Sequence, residues 1–397
     1  MSTRVLLVCQ PVDGGVAFHV DTLARRLPEH DVAVAVACPP GAWAQQLDAD
    51  GITVIEVPMV RQIAPGTDAA ALRQLRAIAG RDRFDLVHAH SAKAGVLGRL
   101  AARSRGVPAV YTPHAWSFLA AGGHASTRLY QRIERTLAAR TAAIICVSEG
   151  ERRRGIAVAD AERMVVVTNG IALPDHGSAG RSTPPRDVVV IGTVARLAPQ
   201  KGIAHLLEAF AQVHAVRDDV RLAIAGDGPL RADLEDAAGR LGIADAVTFT
   251  GAIPSPWGFL AGLDLFVLPS LWEGLPYALL EAMATGLPSV ATAVDGVAEA
   301  IPDRRFGTVV SPADSDRLAH EILALVEDAP TRAEMGRRAR EHVRNTFSVE
   351  GMVRATADVY RRVVAGVPIR TDEPQPVAAG AAAGTARTLV PLRRSAG

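Results

Sequence analysis

Two glutamates eight positions apart, Glu273 and Glu281, stand in the apolar stretch SLWEGLPYALLEAMATGLPSVAT (270–292), which holds no basic residue to pair with either. Burying an unpaired carboxylate is costly. Both acids therefore either face water or meet donors that are not protein. A second group of chemically useful residues is Arg196 and Lys201, in GTVARLAPQKGIAHLLEAF. Two cations five apart, on a loop that follows a strand and opens a helix, can clamp a diphosphate and stabilise the charge that develops as it leaves. Solvated surface charges are the plain alternative for each group. Their common placement, after strands of one sheet, favours a shared site.

Weaker signals surround these. Gly226-Asp227-Gly228-Pro229 makes another strand–turn–helix corner, which need be no more than a good turn. Gly14-Gly15 lies between the first strand and the first helix, where backbone amides could face a phosphate. It is not G-x-G-x-x-G, so the dinucleotide fingerprint is missing. His88, His90 and His114 fall at predicted strand ends. His88-x-His90 has a spacing that metals use, but no third ligand appears nearby, and a metal is rejected. His114 opens a long loop with Trp116, Gly122 and Gly123, where an acceptor-facing residue would sit. The D-x-D pairs Asp48/Asp50 and Asp314/Asp316 read as a polar helix end and an acidic first helical turn. Arg128, Arg132 and Arg135 share one helical face, read as a solvated stripe in preference to a lipid contact.

The elements that must carry these residues are legible as alternation. RVLLVC, DVAVAVAC, TVIEVP, DLVHAH, PAVYTP, AAIICVS and RMVVVTNGI read as strands separated by helical patterns at 16–28, 68–82, 92–103 and 124–140. A Gly/Pro/Ser-rich linker at 173–187 follows, and the alternation restarts with VVVIGTVA, RLAIAG, AVTFTG, LDLFVLP, LPSVAT and GTVVSP. Helical patterns in this half fall at 202–215, 229–242, 276–286 and 314–328. The fold class expected is α/β, with two doubly wound domains at 1–172 and 188–346 facing across a cleft. Ligands then bind outside the carboxyl ends of the strands. Helical stretches at 330–346 and 349–365 follow without strands, and the low-complexity tail from 367, with Arg393 and Arg394, reads as disordered.

At 397 residues the chain exceeds one ordinary core. A formal net charge of +1 gives no global field that would point to nucleic acid or membrane. Cys9, Cys38 and Cys146 sit in apolar runs and read as buried free thiols of a reducing compartment. The N-terminal apolar run is too short for a signal-peptide core, and no stretch is long and apolar enough to span a bilayer. A cytoplasmic protein is expected, with peripheral contact at the inner face of a membrane left open.

With these residues in hand, the chain resembles glycosyltransferase family 4, retaining transferases of GT-B architecture, over about residues 4–365. Glu273 and Glu281 match the family's E-x7-E signature; ARLAPQKG, GDGP, DGG and TPH (112–114) match companion motifs in order. The resemblance implies that Glu281 holds the ribose hydroxyls of a sugar nucleotide. Glu273, with the backbone of Gly274, Leu275 and Pro276, would contact the transferred sugar. Arg196 and Lys201 would bind the diphosphate, Gly15 would approach the donor from the other domain, and His114 would hydrogen-bond the sugar near the reacting carbon. It further implies that no divalent metal or other cofactor is needed, the nucleotide sugar being a co-substrate, and that the last helix, 347–366, crosses back to the N-terminal domain. Two departures stand out. Ile171-Ala172 replace an aliphatic–Asp pair, which predicts a lost hinge contact, and Asp295-Gly296 replace Gly-Gly, which predicts an altered donor-sugar end.

The expected function is retaining transfer of a sugar from a UDP- or GDP-sugar to a hydroxyl of a glycan, lipid-linked or small-molecule acceptor, in cell-surface glycan, exopolysaccharide or glycolipid synthesis. The alternatives are a GT-B-like sugar-nucleotide epimerase and a non-catalytic nucleotide-sugar-binding protein.

Overall fold

The computed structural model describes residues 2–81, 83–120, 123–173 and 188–369. Most of the predicted linker, nearly all of the tail and Gly122 lie outside the described residues. Seven strands, β1 (Thr3–Cys9), β2 (Val32–Cys38), β3 (Thr53–Glu56), β4 (Leu86–His90), β5 (Ala109–Thr112), β6 (Ala143–Cys146) and β7 (Met164–Val166), form one sheet in the order 3-2-1-4-5-6-7. Six more, β8 (Val189–Val194), β9 (Val220–Ala225), β10 (Val247–Gly251), β11 (Leu265–Leu268), β12 (Ser289–Thr292) and β13 (Thr308–Val310), form a second in the order 10-9-8-11-12-13. All pairings are parallel; Leu6, for example, stands between Ala35 and Val87. Helices cover both faces, which is why β1 and β4 read as nearly unbroken apolar runs.

Strand order reverses beside β1 in the first sheet and beside β8 in the second. The loops leaving β1 and β4, and those leaving β8 and β11, therefore part in opposite directions and open a crevice at the carboxyl edge. Every singled-out motif except the D-x-D pairs and the arginine stripe lies on such an edge.

The helix Val349–Val364 packs on the first sheet's core, where Met352, Val353, Ala357 and Tyr360 are buried with Val5, Leu23 and Leu86. Its Ser348 accepts a cap bond from Gly351 N, the expected N-terminal device. The Tyr360 hydroxyl reaches His88 Nδ1 at 2.6 Å. Backbone contacts hold the hinge at which a side-chain contact is predicted lost. Ile171 N donates to Phe347 O at 2.9 Å, and a Cβ on Gly170 would lie 2.4 Å from Ser348 O. Backbone contacts fix the hinge, whereas Ala172 is exposed.

Candidate functional site

The loop after β8 owes its shape to the turn after β9. A Cβ on Gly226 (φ +131°) would lie 1.9 Å from Ala195 O, and one on Gly228 (φ +159°) 2.4 Å from Leu197 O. The two loops also share backbone bonds, Leu197 N to Asp227 O at 2.9 Å and Leu230 N to Leu197 O at 3.1 Å. Gly-Asp-Gly-Pro is thus the packing surface that presents Arg196, a half-buried guanidinium with no side-chain partner among the described residues.

Farther along the same loop, Lys201 Nζ lies 2.5 Å from Glu273 Oε1. Ser270 Oγ donates to that oxygen at 2.7 Å, and Gln200 Nε2 reaches Oε2 at 3.4 Å. The expectation that Glu273 lacks a protein partner is therefore corrected. The carboxylate is only 6% exposed, and burial at that level requires a counter-charge, which comes from a loop 72 positions upstream. Glu281 keeps its expected character. It lies in the helix Tyr277–Ala284, half-buried, with no hydrogen-bond or ionic partner among the described residues, and burial pushes its carboxyl up to about 7.

Between the two acids, the 274–276 segment is docked on the first domain. Gly274 O accepts from Ser148 Oγ at 2.8 Å, and Leu275 O accepts from Asn169 Nδ2 at 2.8 Å. A Cβ on Gly274 would meet Val147 at 2.9 Å and Ala115 N at 3.1 Å, so this glycine is a close-contact position between domains. Pro276 is the N-cap of the helix that carries Glu281. Gly15 is the second residue of the facing helix Gly14–Arg26, and a Cβ there would lie 3.0 Å from the Tyr277 ring. Its close approach is thus to an aromatic ring of the second domain. Gly14 (φ +69°) has open space around its Cβ position.

His114 and Ala115 both take left-handed φ, 53° and 78°, a conformation costing about 1–3 kcal/mol per residue. Ala115 N donates to Glu151 Oε1 at 2.6 Å, and Val147 N to Glu151 Oε2 at 2.7 Å. Glu151 is fully buried, and desolvation pushes its carboxyl up to about 7 against the pull of these two bonds. His90 Nδ1 and His114 Nε2 are 3.1 Å apart. His19, from the helix Gly14–Arg26, joins them: its ring centroid is 4.7 Å from that of His114. The sequence reading found neither His19 nor Glu151. His19 is one polar residue inside an amphipathic helix, and its partners Asn169 and Tyr277 are 150 and 258 positions away. The premise that His88-x-His90 has no further histidine nearby is corrected as well, since folding brings His19 and His114 to it.

Asp295 lies at the domain boundary, next to Gly296, whose Cβ position would fall 2.4 Å from Gly274 O. Its carboxylate is turned toward the first domain, where Arg154 Nε donates to Oδ2 at 2.6 Å. Glu299 Oε1 accepts from Glu149 N and Gly150 N beside it, at 2.6 and 3.2 Å. The remaining signals behave as surface features: Asp314 caps the helix Ser315–Glu327, Asp50 pairs with Arg25, and Arg128, Arg132 and Arg135 are exposed. The three cysteines are free and buried. No helix among the described residues is long and apolar enough to cross a membrane.

Comparison with known proteins gives two family matches. The model described as Glycosyl transferases group 1 matches residues 180–342, and that described as Glycosyltransferase Family 4 matches residues 13–173. The UDP-Gal:alpha-D-GlcNAc-diphosphoundecaprenol alpha-1,3-galactosyltransferase of Escherichia coli is 28% identical over 351 residues, 84% of this chain and 90% of the relative. The 2-deoxystreptamine glucosyltransferase of Streptomyces kanamyceticus is 30% identical over 321 residues, 75% and 82% of the two chains. Among solved structures, Anabaena Alr3699/HepE in complex with UDP and glucose superposes with a TM-score of 0.78 at 23% identity, covering 90% of this chain and 99% of that one. Sucrose-phosphate synthase from Thermosynechococcus elongatus superposes with a TM-score of 0.79 at 20% identity, covering 92% and 100%.

Proposed function

The chain belongs to the family 4, group 1 glycosyltransferases, and from that premise we propose that it moves a sugar from a nucleotide-diphosphate sugar to an acceptor hydroxyl with retention of anomeric configuration. The second domain, residues 188–346, holds the donor and the first, residues 1–172, presents the acceptor. The observation that carries this reading is the rim after β8 and β11. It offers a guanidinium (Arg196) and a carboxylate (Glu281) that have no side-chain partner among the described residues, and an ammonium (Lys201) fixed by Glu273, which Ser270 holds in turn.

Lys201 has three N–H donors. Its bond to Glu273 leaves others for a diphosphate and fixes where they point. Arg196 and Lys201 then stabilise the charge on the departing diphosphate from preset positions. Glu281 accepts hydrogen bonds from ribose hydroxyls. Glu273 and the backbone of Gly274, Leu275 and Pro276 line the sugar, and the N–H groups of Gly274 and Leu275 make no hydrogen bond among the described residues. His114 hydrogen-bonds the sugar near the reacting carbon, and Gly15 borders the donor with Tyr277. Because Glu273 Oε1 is already held by Lys201 and Ser270, it is poorly disposed to act as a covalent nucleophile. This supports a front-face route, in which the leaving diphosphate takes the acceptor proton. No divalent metal takes part in it.

The Escherichia coli relative is named for UDP-Gal and a diphosphoundecaprenol-linked acceptor, and HepE was solved with UDP and glucose. UDP-hexoses with a lipid-linked glycan acceptor are therefore the first pair to test, in a cytoplasmic protein. Exposed Arg128 and Arg132, beside exposed Leu129, would face an anionic membrane surface. The test is nucleotide release from a panel of UDP- and GDP-sugars with and without acceptor. Acceptor-dependent release with a retained anomer supports the proposal. Epimerised donor without acceptor, or donor binding without turnover on any acceptor, overturns it.

A further inference from the structure

His19, His90 and His114 each offer one ring nitrogen, and the three nitrogens lie within 4.8 Å of one another. Two of the rings are essentially inaccessible to water, His90 at 0% and His19 at 1%. A hydrogen-bond chain prepares His19 as a ligand. Asn169 Nδ2 donates to Leu275 O at 2.8 Å, which fixes the amide so that Asn169 Oδ1 faces His19 Nδ1 at 3.1 Å. An amide oxygen only accepts, so His19 Nδ1 carries the proton and Nε2 is left with a bare lone pair. The Tyr277 hydroxyl, 3.1 Å from the same Nδ1, is consistent with this because it can turn its own proton toward Met352 Sδ. An imidazole whose outer N–H is held by a fixed acceptor is the arrangement that orients metal-ligating histidines.

His90 and His114 meet directly: His90 Nδ1 and His114 Nε2 share one proton, which a metal would displace, and His90 Nε2 is buried with no hydrogen-bond partner among the described residues. Burial, together with neighbouring histidines around His90 and His114, holds all three rings below the ordinary histidine range, His19 at about 4. They are neutral at pH 7, the form a metal requires.

We propose that His19, His90 and His114 form a three-histidine site for a borderline transition-metal cation of the Zn2+ class, in the cleft between the domains. Imidazole sets suit Zn2+, Cu2+ and Ni2+ better than Mg2+ or Ca2+. Three histidines with an open fourth position are an established zinc geometry, and bonds of about 2.0–2.1 Å would draw the nitrogens in to roughly 3.3 Å. The outer support of the site crosses the domain boundary, from His19 through Asn169 to Leu275, so bound metal stabilises the closed arrangement. Resting on the transferase reading, a further consequence follows: metal on His114 withdraws it from the sugar, so the cation inhibits transfer.

The test titrates ZnCl2 into chelator-treated full-length protein by calorimetry and thermal shift. One equivalent should bind and raise the melting temperature. His19→Ala or His90→Ala should weaken binding at least ~10-fold and Asn169→Ala ~10-fold, while His205→Ala leaves it unchanged. Circular dichroism checks the fold, and His19→Gln, which keeps side-chain volume, decides the matter should His90→Ala unfold. Absence of a one-equivalent site below millimolar Zn2+, or binding unaltered in both His19 variants, overturns the proposal. An activity assay with the best donor separates it from the transferase reading. Zn2+ bound at these histidines without inhibition would overturn the role of His114 in transfer and leave the metal site standing.

Discussion

Lys201 is held by Glu273, and in the proposed donor complex that pair also meets the ligand, which has measurable consequences. Lys201→Ala removes a preset donor from the diphosphate and should lower kcat by about 10²–10³-fold, read as nucleotide release at saturating donor. Glu281 behaves differently because it has no protein partner. Glu281→Ala should weaken donor binding by roughly 10–100-fold, the worth of charge-assisted hydrogen bonds of about 1.5–3 kcal/mol. Burial pushes its carboxyl up to about 7, and ribose hydroxyls donating to it in the proposed complex would favour the ionised form. Donor affinity should therefore rise from pH 5.5 to 8 in the parent and stay flat in Glu281→Gln, by calorimetry at each pH. Glu151 acts on stability. A carboxyl raised from 4.5 to about 7 in the fold binds more protons folded than unfolded in that window. Stability thus falls as pH rises from 4.5 to 7, and Glu151→Gln should flatten that slope in denaturant titrations. Glu281 was legible because an acid in an apolar run without a basic neighbour is unusual within one short stretch. The pairing of Glu273 with Lys201, and the gathering of His19 to His114, were not, because each joins segments far apart in sequence that the parallel sheet of one domain brings side by side.

At the scale of elements, the turn after β9 acts through backbone contact. Gly226→Ala would place a Cβ 1.9 Å from Ala195 O at a left-handed φ. The Arg196 loop must then move, and kcat should fall with little change in nucleotide-independent properties such as the circular dichroism spectrum. The first domain depends on a buried pair, Arg99 Nη2 to Glu134 Oε2 at 2.7 Å, both side chains 2% exposed. It joins the helices Ala92–Arg103 and His124–Ala138. Glu134→Ala should cost about 3–5 kcal/mol of stability, since it strands a buried guanidinium, measurable by urea unfolding. All thirteen strands coincide with apolar runs read from the sequence; inner strands such as β4 and β11, covered on both faces, leave the most continuous hydrophobic text. The helices Ala42–Ala49, Glu149–Gly155 and Pro256–Ala261 were not legible. They run eight residues or fewer, too short for a 3.6-residue period to declare itself, and Glu149–Gly155 is polar all round, its position set by the Ser148 cap and by Glu299 across the domain boundary.

Across the whole molecule, the two domains meet through bonds of unequal weight. Arg154–Asp295 has a half-exposed cation, and such pairs contribute about 0–1 kcal/mol. Asn169 to Leu275 O is buried, and losing it should cost about 1–3 kcal/mol. Asn169→Ala should therefore loosen closure and raise the donor KM more than Asp295→Ala does, with small-angle scattering reporting the larger dimension. The two-domain plan was legible from the repeated alternation, whereas the closure contacts were not, since they join residues on different sheets. The helix Val349–Val364, which completes the first domain's core, also orders events during synthesis. Roughly 180 residues separate it from β7, a delay of roughly 10–40 s at ~5–20 residues per second. Throughout that interval the nascent amino-terminal half leaves the ribosome with an uncovered apolar face, a target for chaperones until the helix Val349–Val364 emerges to cover it.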